Sequence, residues 1–131
     1  MMIDHIGFPV SDYQRSLAFY TKVLRVLGYG LVMEVDAETS GGGAHAGFGR
    51  DGRPQFWITE GEPIVGRLHV AFAAADPEAV DDFYAAAMAA GATDNGPPGL
   101  RPHYHPNYYG AFVFDLDGHN IEAVCHEAGL R

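Results

Sequence analysis

Two histidines and one glutamate carry the most suggestive chemistry in this chain. His5 stands in Asp4-His5-Ile6-Gly7-Phe8 and His69 in Leu68-His69-Val70-Ala71-Phe72. The echo runs on from Asp12 to Asp76 and from Phe19-Tyr20 to Phe83-Tyr84, all at one constant offset. A repeat that sets an imidazole at the same strand position in each half suggests two imidazoles meeting across a pseudo-twofold axis. Near the end of the chain, strand alternation places Asn120, Glu122, Val124 and His126 on one face and Ile121, Ala123 and Cys125 on the other. Two neutral imidazoles and one carboxylate can occupy one face of an octahedral divalent ion, leaving the other positions for water, oxygen or a bidentate substrate. The expected ligands are therefore His5, His69 and Glu122, and the open side is what metal catalysis requires. A lone strand histidine is more often bonded to backbone or water than to a metal. It is the match between halves, with Glu122 on the correct face, that favours the metal site.

A second group, His103, Tyr104, His105, Tyr108 and Tyr109, crowds one loop and the strand after it. Tyrosines there can pack as a lid or dimer contact. They can also offer a hydroxyl or imidazole for proton transfer to a bound oxygenated substrate, and Tyr109 and His105 are the candidates for that catalytic role. His45 can also reach the site, while His126 reads as a solvated histidine and Cys125 as a buried small hydrophobe. Phe56, Trp57, Phe112 and Phe114 supply wall or core, without a sequence signal that divides those roles. The Gly41-Gly42-Gly43 run lacks a following Lys-Ser or Lys-Thr and reads as a flexible connection, not a phosphate loop.

The elements that must position these residues repeat as well. Alternation over residues 3–10 puts Ile6, Phe8 and Val10 on one face and His5 on the other. Ser11 with Gln14 resembles a capping box, and Leu17, Tyr20, Val23, Leu24 and Leu27 then recur at helical spacing up to Gly28, predicting a helix over about 12–27. Strands follow at Leu31, Met33 and Val35 and, after a loop at 39–43, at about 44–50 and 53–59 around Asp51-Gly52. The second half repeats the plan. A strand at 67–74 is followed by a helix capped by Asp76 with Pro77 at its first position and ended by Gly91. Residues 95–107 read as irregular, and strands at about 109–115 and 119–126 flank Asp117-Gly118. Each half is thus β-α-β-β-β, with modules at about 1–62 and 66–131. The expected fold is α+β, with both modules forming a curved mixed sheet around a metal-binding cup. At 131 residues they are expected to share one core as a single domain.

Bulk properties narrow the partners. A formal charge of −9 and no basic stripe argue against nucleic acid, whose recognition draws on Lys and Arg. The amphipathic helix bearing Arg15, Lys22 and Arg25 is not a membrane span. With a single cysteine and no charged-then-apolar leader, a cytoplasmic protein is expected.

His5, the run Leu-His-Val-Ala-Phe around His69, and the closing Asp117-Gly118-His119-Asn120-Ile121-Glu122-Ala123-Val124 together resemble the vicinal oxygen chelate superfamily. That group includes glyoxalase I, extradiol dioxygenases and the fosfomycin and bleomycin resistance proteins, and the resemblance spans nearly the whole chain. It implies paired modules binding a divalent metal (Fe, Mn, Ni or Zn), a small-molecule substrate with vicinal oxygens, and a homodimer. The closing motif specifies the fold more strongly than the reaction. Glyoxalase I resembles this pattern but uses a second glutamate on the matching strand of the first module. Aligning the two Asp-Gly turns puts Phe56 there, and phenylalanine neither ligates nor moves a proton. A one-residue slip would reopen that comparison, with Glu60 and Glu62 as the nearest substitutes. A three-ligand set is closer to the extradiol dioxygenases and to the fosfomycin-resistance transferases, and ring-cleaving dioxygenation with Fe(II) is the subclass this pattern suggests. The alternatives are a lactoylglutathione-lyase-like lyase or isomerase and a non-catalytic bleomycin-type drug-binding protein. A fosfomycin-type transferase would call for clustered cations, whereas Arg50, Arg53, Arg67 and Arg101 are scattered.

Overall fold

The computed structural model describes residues 2–127. The chain divides into two compact units, Met1–Gly66 and Arg67–Arg131. The final residues of the second expected module lie outside the described residues.

The first unit runs β1 (Ile6–Val10), α1 (Tyr13–Arg25), β2 (Gly30–Val35), α2 (Ala37–Ser40), β3 (His45–Arg50) and β4 (Arg53–Glu60). Its four strands are ordered β1-β4-β3-β2, with β1 parallel to β4 and the other pairs antiparallel. The second unit runs β5 (His69–Ala73), α3 (Pro77–Ala89), β6 (Thr93–Leu100), β7 (Tyr109–Phe114) and β8 (Asn120–Cys125). Its order is β5-β8-β7-β6, with the same pattern of parallel and antiparallel pairs. Two four-stranded mixed sheets with helices bear out the expected α+β class built from βαβββ modules.

Each helix covers one face of its own sheet. On α1, Phe19, Tyr20, Val23 and Leu24 are buried, and they meet Phe8, Val10, Phe48, Phe56 and Ile58 from the strands. Phe56 is central there, with its ring 5.3 Å from Phe8 and 4.9 Å from Tyr20. On α3, Val80, Phe83 and Ala87 close over Ala111, Val113, Ile121, Ala123 and Cys125. The sheet face left uncovered by the helix carries His5 in the first unit and His69 and Glu122 in the second.

Several local features depart from the sequence pattern. The α1 cap is Asp12, whose carboxylate accepts from the Arg15 N–H at 3.2 Å, and not Ser11 in a box with Gln14. The segment before the glycine run forms the single turn α2, capped by Asp36 accepting from the Thr39 N–H at 2.8 Å. Residues 93–100 form the edge strand β6 although the prolines and glycines of 96–99 argue against one. The pairing jumps from Gly96↔Phe112 to Gly99↔Gly110, so Pro97 and Pro98 sit in a bulge where no ladder N–H is required.

The alignment that placed Phe56 opposite Glu122 is also corrected. On the parallel edges Gly7 pairs with Trp57 and Ala71 with Glu122, and Gly7 and Ala71 are repeat equivalents. On the other side Gly47 pairs with Trp57 and Phe112 with Glu122. The counterpart of Glu122 is therefore Trp57, while Phe56 matches the core residue Ile121. The shift arises because Phe48↔Phe56 is followed by Gly49↔Pro54, leaving Gln55 as an extra residue on β4.

Removing the Phe56 ring should empty the centre of the first core. Phe56→Ala is expected to cost about 3–5 kcal/mol in urea-induced unfolding. A loss below about 1 kcal/mol would place that ring outside the core.

Candidate functional site

In the second unit the site grows from one buried carboxylate. Glu122 lies in the central strand β8 and is 2% exposed. Small neighbours make room for it: Ala71 stands beside it on β5, and a Cβ on Gly110 would come within 3.2 Å of Glu122 Oε2. One carboxylate oxygen lies 3.1 Å from His69 Nε2, and the other accepts from the Tyr108 hydroxyl. Burying a carboxylate without such partners would be costly.

The His69 ring is also tied at its other nitrogen. Nδ1 lies 3.0 Å from the carbonyl oxygen of Asn120, an acceptor, so Nδ1–H is the donor. That leaves Nε2 of the neutral ring as a lone pair facing a carboxylate oxygen. Two acceptors at that distance must share a proton or hold a cation between them. An imidazole fixed by a backbone carbonyl and a carboxylate fixed by a hydroxyl are the usual surroundings of metal ligands. The donor set thus fits a divalent ion. Phe112 stacks beside His69 with centroids 6.1 Å apart, and Arg101 lies over the Phe112 ring.

His5 lies in the first unit just before β1. Its Nδ1 lies 2.7 Å from Asp4 Oδ1, and this hydrogen bond holds the Asp4 carboxyl below its ordinary range. Nδ1–H is again the donor, so His5 Nε2 is the free lone pair, as at His69. Among the described residues, no three or more His, Cys, Asp or Glu side chains are gathered in a metal-binding group.

The catalytic candidates fare differently. Tyr109 projects to the helix-covered face, where its hydroxyl donates to Asp81 of α3 at 2.7 Å. That bond, with partial burial, pushes the phenol up to about 12. The hydroxyl that reaches Glu122 belongs instead to Tyr108, whose phenol is raised by burial and then by the carboxylate. Alternation could have found it: Phe112, Gly110 and Tyr108 follow one another on the Glu122 side of β7 and its approach. His105 accepts from the Asn107 N–H at Nδ1 and so donates from Nε2 to His126 Nδ1 at 2.9 Å. Both imidazoles border the Tyr108 ring, with centroids 5.5 and 5.3 Å away. His105 therefore stands behind Tyr108, and His126, exposed to solvent as expected, is its stacked partner. Cys125 is buried on the helix side, as expected.

The uncovered face of the first unit forms an open concavity of about 700 Å³. Asp4, His5, His45, Gln55, Trp57 and Thr59 contribute to its lining. The sequence leaves Phe56 and Trp57 undivided between wall and core; the register separates them, Phe56 inward and Trp57 to this face.

Over residues 2–123 the chain matches the family described as the Glyoxalase/Bleomycin resistance protein/Dioxygenase superfamily. No curated protein matches it. A glyoxalase/bleomycin resistance protein from Albidiferax ferrireducens T118 is similar at 31% identity with TM-score 0.78, over 95% of this chain and 99% of that one. A mutant of the fosfomycin resistance protein FosX from Listeria monocytogenes, in complex with Mn(II) and 1S,2S-dihydroxypropylphosphonic acid, is 21% identical with TM-score 0.65, over 92% of this chain and 86% of that one. A glyoxalase I mutant from Zea mays is 22% identical with TM-score 0.71, over 96% of this chain and 47% of that longer one. These last two are likenesses of fold.

The two tyrosines should separate cleanly. Tyr108→Phe removes a donor from a buried carboxylate and is expected to cost about 1–3 kcal/mol in chemical denaturation. Tyr109→Phe, which loses an exposed bond, should cost less than about 1 kcal/mol. The reverse order would show that Tyr108 does not support Glu122.

Proposed function

As the chain belongs to the Glyoxalase/Bleomycin resistance protein/Dioxygenase superfamily, we propose that it is a metalloenzyme whose His5, His69 and Glu122 hold a divalent ion for a substrate that chelates it through neighbouring oxygens. The observation that carries this reading is the His69–Glu122 pair, in which the imidazole Nε2 and a carboxylate oxygen stand 3.1 Å apart. Bound there, a divalent ion supplies Lewis acidity toward the chelated oxygens. The chain's own side chains do the positioning. The Asn120 carbonyl fixes the His69 tautomer, Asp4 does the same for His5, and Tyr108 orients Glu122. Tyr108 also stands where a hydroxyl can hold or pass a proton beside the substrate, so we assign it the role first considered for Tyr109. His105 supports it from behind.

Trp57 at the Glu122-equivalent position means that the first unit contributes no carboxylate there. This favours a three-ligand set over the four-ligand arrangement of glyoxalase I, and with it ring-cleaving dioxygenation with Fe(II). Lyase, isomerase or transferase chemistry with Mn(II), Ni(II) or Zn(II) is the alternative. The FosX relative, crystallised with Mn(II) and a vicinal dihydroxy acid, is consistent with a diol-type ligand. A cytoplasmic homodimer is the proposed working form. No helix among the described residues is long and apolar enough to cross a membrane.

Protein purified without chelator, or reloaded in turn with Fe(II), Mn(II), Ni(II) and Zn(II), should retain about one ion per chain by elemental analysis. Glu122→Ala should lose it, and Tyr108→Phe should weaken retention by about 10- to 100-fold. Failure of the wild type to retain any of the four ions would sink the enzyme reading and leave drug sequestration of the bleomycin-resistance kind. Oxygen uptake with catechols after anaerobic Fe(II) loading is expected for the dioxygenase subclass; its absence in a metal-retaining protein points to lyase or isomerase chemistry.

A further inference from the structure

We infer that the first unit carries a stacking platform for a flat aromatic or heteroaromatic ring of the ligand, with Trp57 as its floor. The argument begins with the row Gly7–Trp57–Gly47 across β1, β4 and β3, in which the one large side chain on the central strand has glycine for both neighbours. A Cβ on Gly47 would lie 2.9 Å from the two outermost carbons of the indole, Cη2 and Cζ2, and a Cβ on Gly7 would lie 2.9 Å from Trp57 Cβ. A tryptophan standing upright on a sheet would carry those outer carbons well above its neighbours' Cβ positions. Here they lie at that height, so the indole reclines across the backbone of Gly47. Its inner face is taken up by the sheet, and it lines the open concavity with His5, His45, Gln55 and Thr59.

The lining also contains an unsatisfied donor or acceptor. His45 Nδ1 is buried with no hydrogen-bond partner, although most such groups are satisfied in native proteins. A wide apolar floor with a few polar atoms around it is the usual make-up of a small-molecule site, and indole is the strongest stacking surface among the side chains. The inference rests on the proposed function for the destination of the ligand's oxygens, but the ring platform is built from the first unit alone.

Trp57 is the single tryptophan of the chain, so its fluorescence reports on this face without interference. The test uses metal-free wild-type protein titrated with catechol and with trans-1,2-cyclohexanediol, which carries the same neighbouring oxygens on a ring that is not flat. Catechol is expected to give saturable quenching beyond that of free N-acetyltryptophanamide, and the cyclohexanediol none. By equilibrium dialysis, Trp57→Phe should keep catechol affinity within about threefold, and Trp57→Ala should lose about tenfold. Gly47→Ala, whose Cβ would crowd the outer carbons of the indole and Pro54 Cβ alike and so lift the ring from the sheet, should lose affinity in step. Equal binding of the two diols, or unchanged affinity in both Trp57→Ala and Gly47→Ala, would overturn the platform. Because these measurements contain no metal, their failure is separate from failure of the metal-retention experiment.

Discussion

The arrangement of the second unit hangs on a carboxylate placed in the middle of a sheet. Glu122 has a strand on either side and almost no contact with solvent. Such a group is tolerated only if its oxygens are matched, and every special feature nearby follows from that need. Ala71 and Gly110 are small so that it fits, Tyr108 donates to one oxygen, and His69 is turned by the Asn120 carbonyl to face the other. A purely structural glutamine would satisfy the first three of these more cheaply. The remaining contact, imidazole nitrogen against carboxylate, is satisfied by a shared proton or by a cation, and it is where the local packing meets the proposed chemistry.

The first unit uses the same backbone row for another purpose. Where the second has Ala71, Glu122 and Phe112, the first has Gly7, Trp57 and Gly47. Exchange of a carboxylate for an indole converts an acidic position into a surface, while a histidine at or just before the start of the first strand keeps one imidazole in each unit. Two copies of one supersecondary plan can thus divide labour, one supplying charge and the other shape.

Much of this was legible in the chain because it depends on periodicity. Alternation placed His5 and His69 opposite the core faces of their strands, and it placed Glu122 opposite Ile121 and Ala123. What stayed hidden depends on the register between strands, which is set by turns and bulges. The extra residue Gln55 moved Trp57 into the row and Phe56 out of it. The hairpin turn itself, with Asp51 and Gly52 both at positive φ, looked like a fixed marker from which to count, yet the bulge lies just beyond it. Likewise, Tyr108 and Tyr109 differ by one residue, and only the pairing of Tyr109 with Cys125 fixes which faces the helix. The strand through Pro97 and Pro98 was invisible because local propensity opposes it and only tertiary pairing with β7 imposes it.

That proline-bearing strand also makes the margins of the two sheets unequal. β6 borders its sheet with two residues that have no N–H and with two breaks in register, a poor template for another chain to extend. β2 borders the other sheet with the sequence Gly-Leu-Val-Met-Glu-Val, exposing Leu31 and Met33, and its charge at Glu34 is engaged by the Tyr13 hydroxyl. At high concentration, strand-to-strand self-association would begin at the margin of the first unit, and a lysine or proline introduced into β2 is the natural remedy for a solution that clouds.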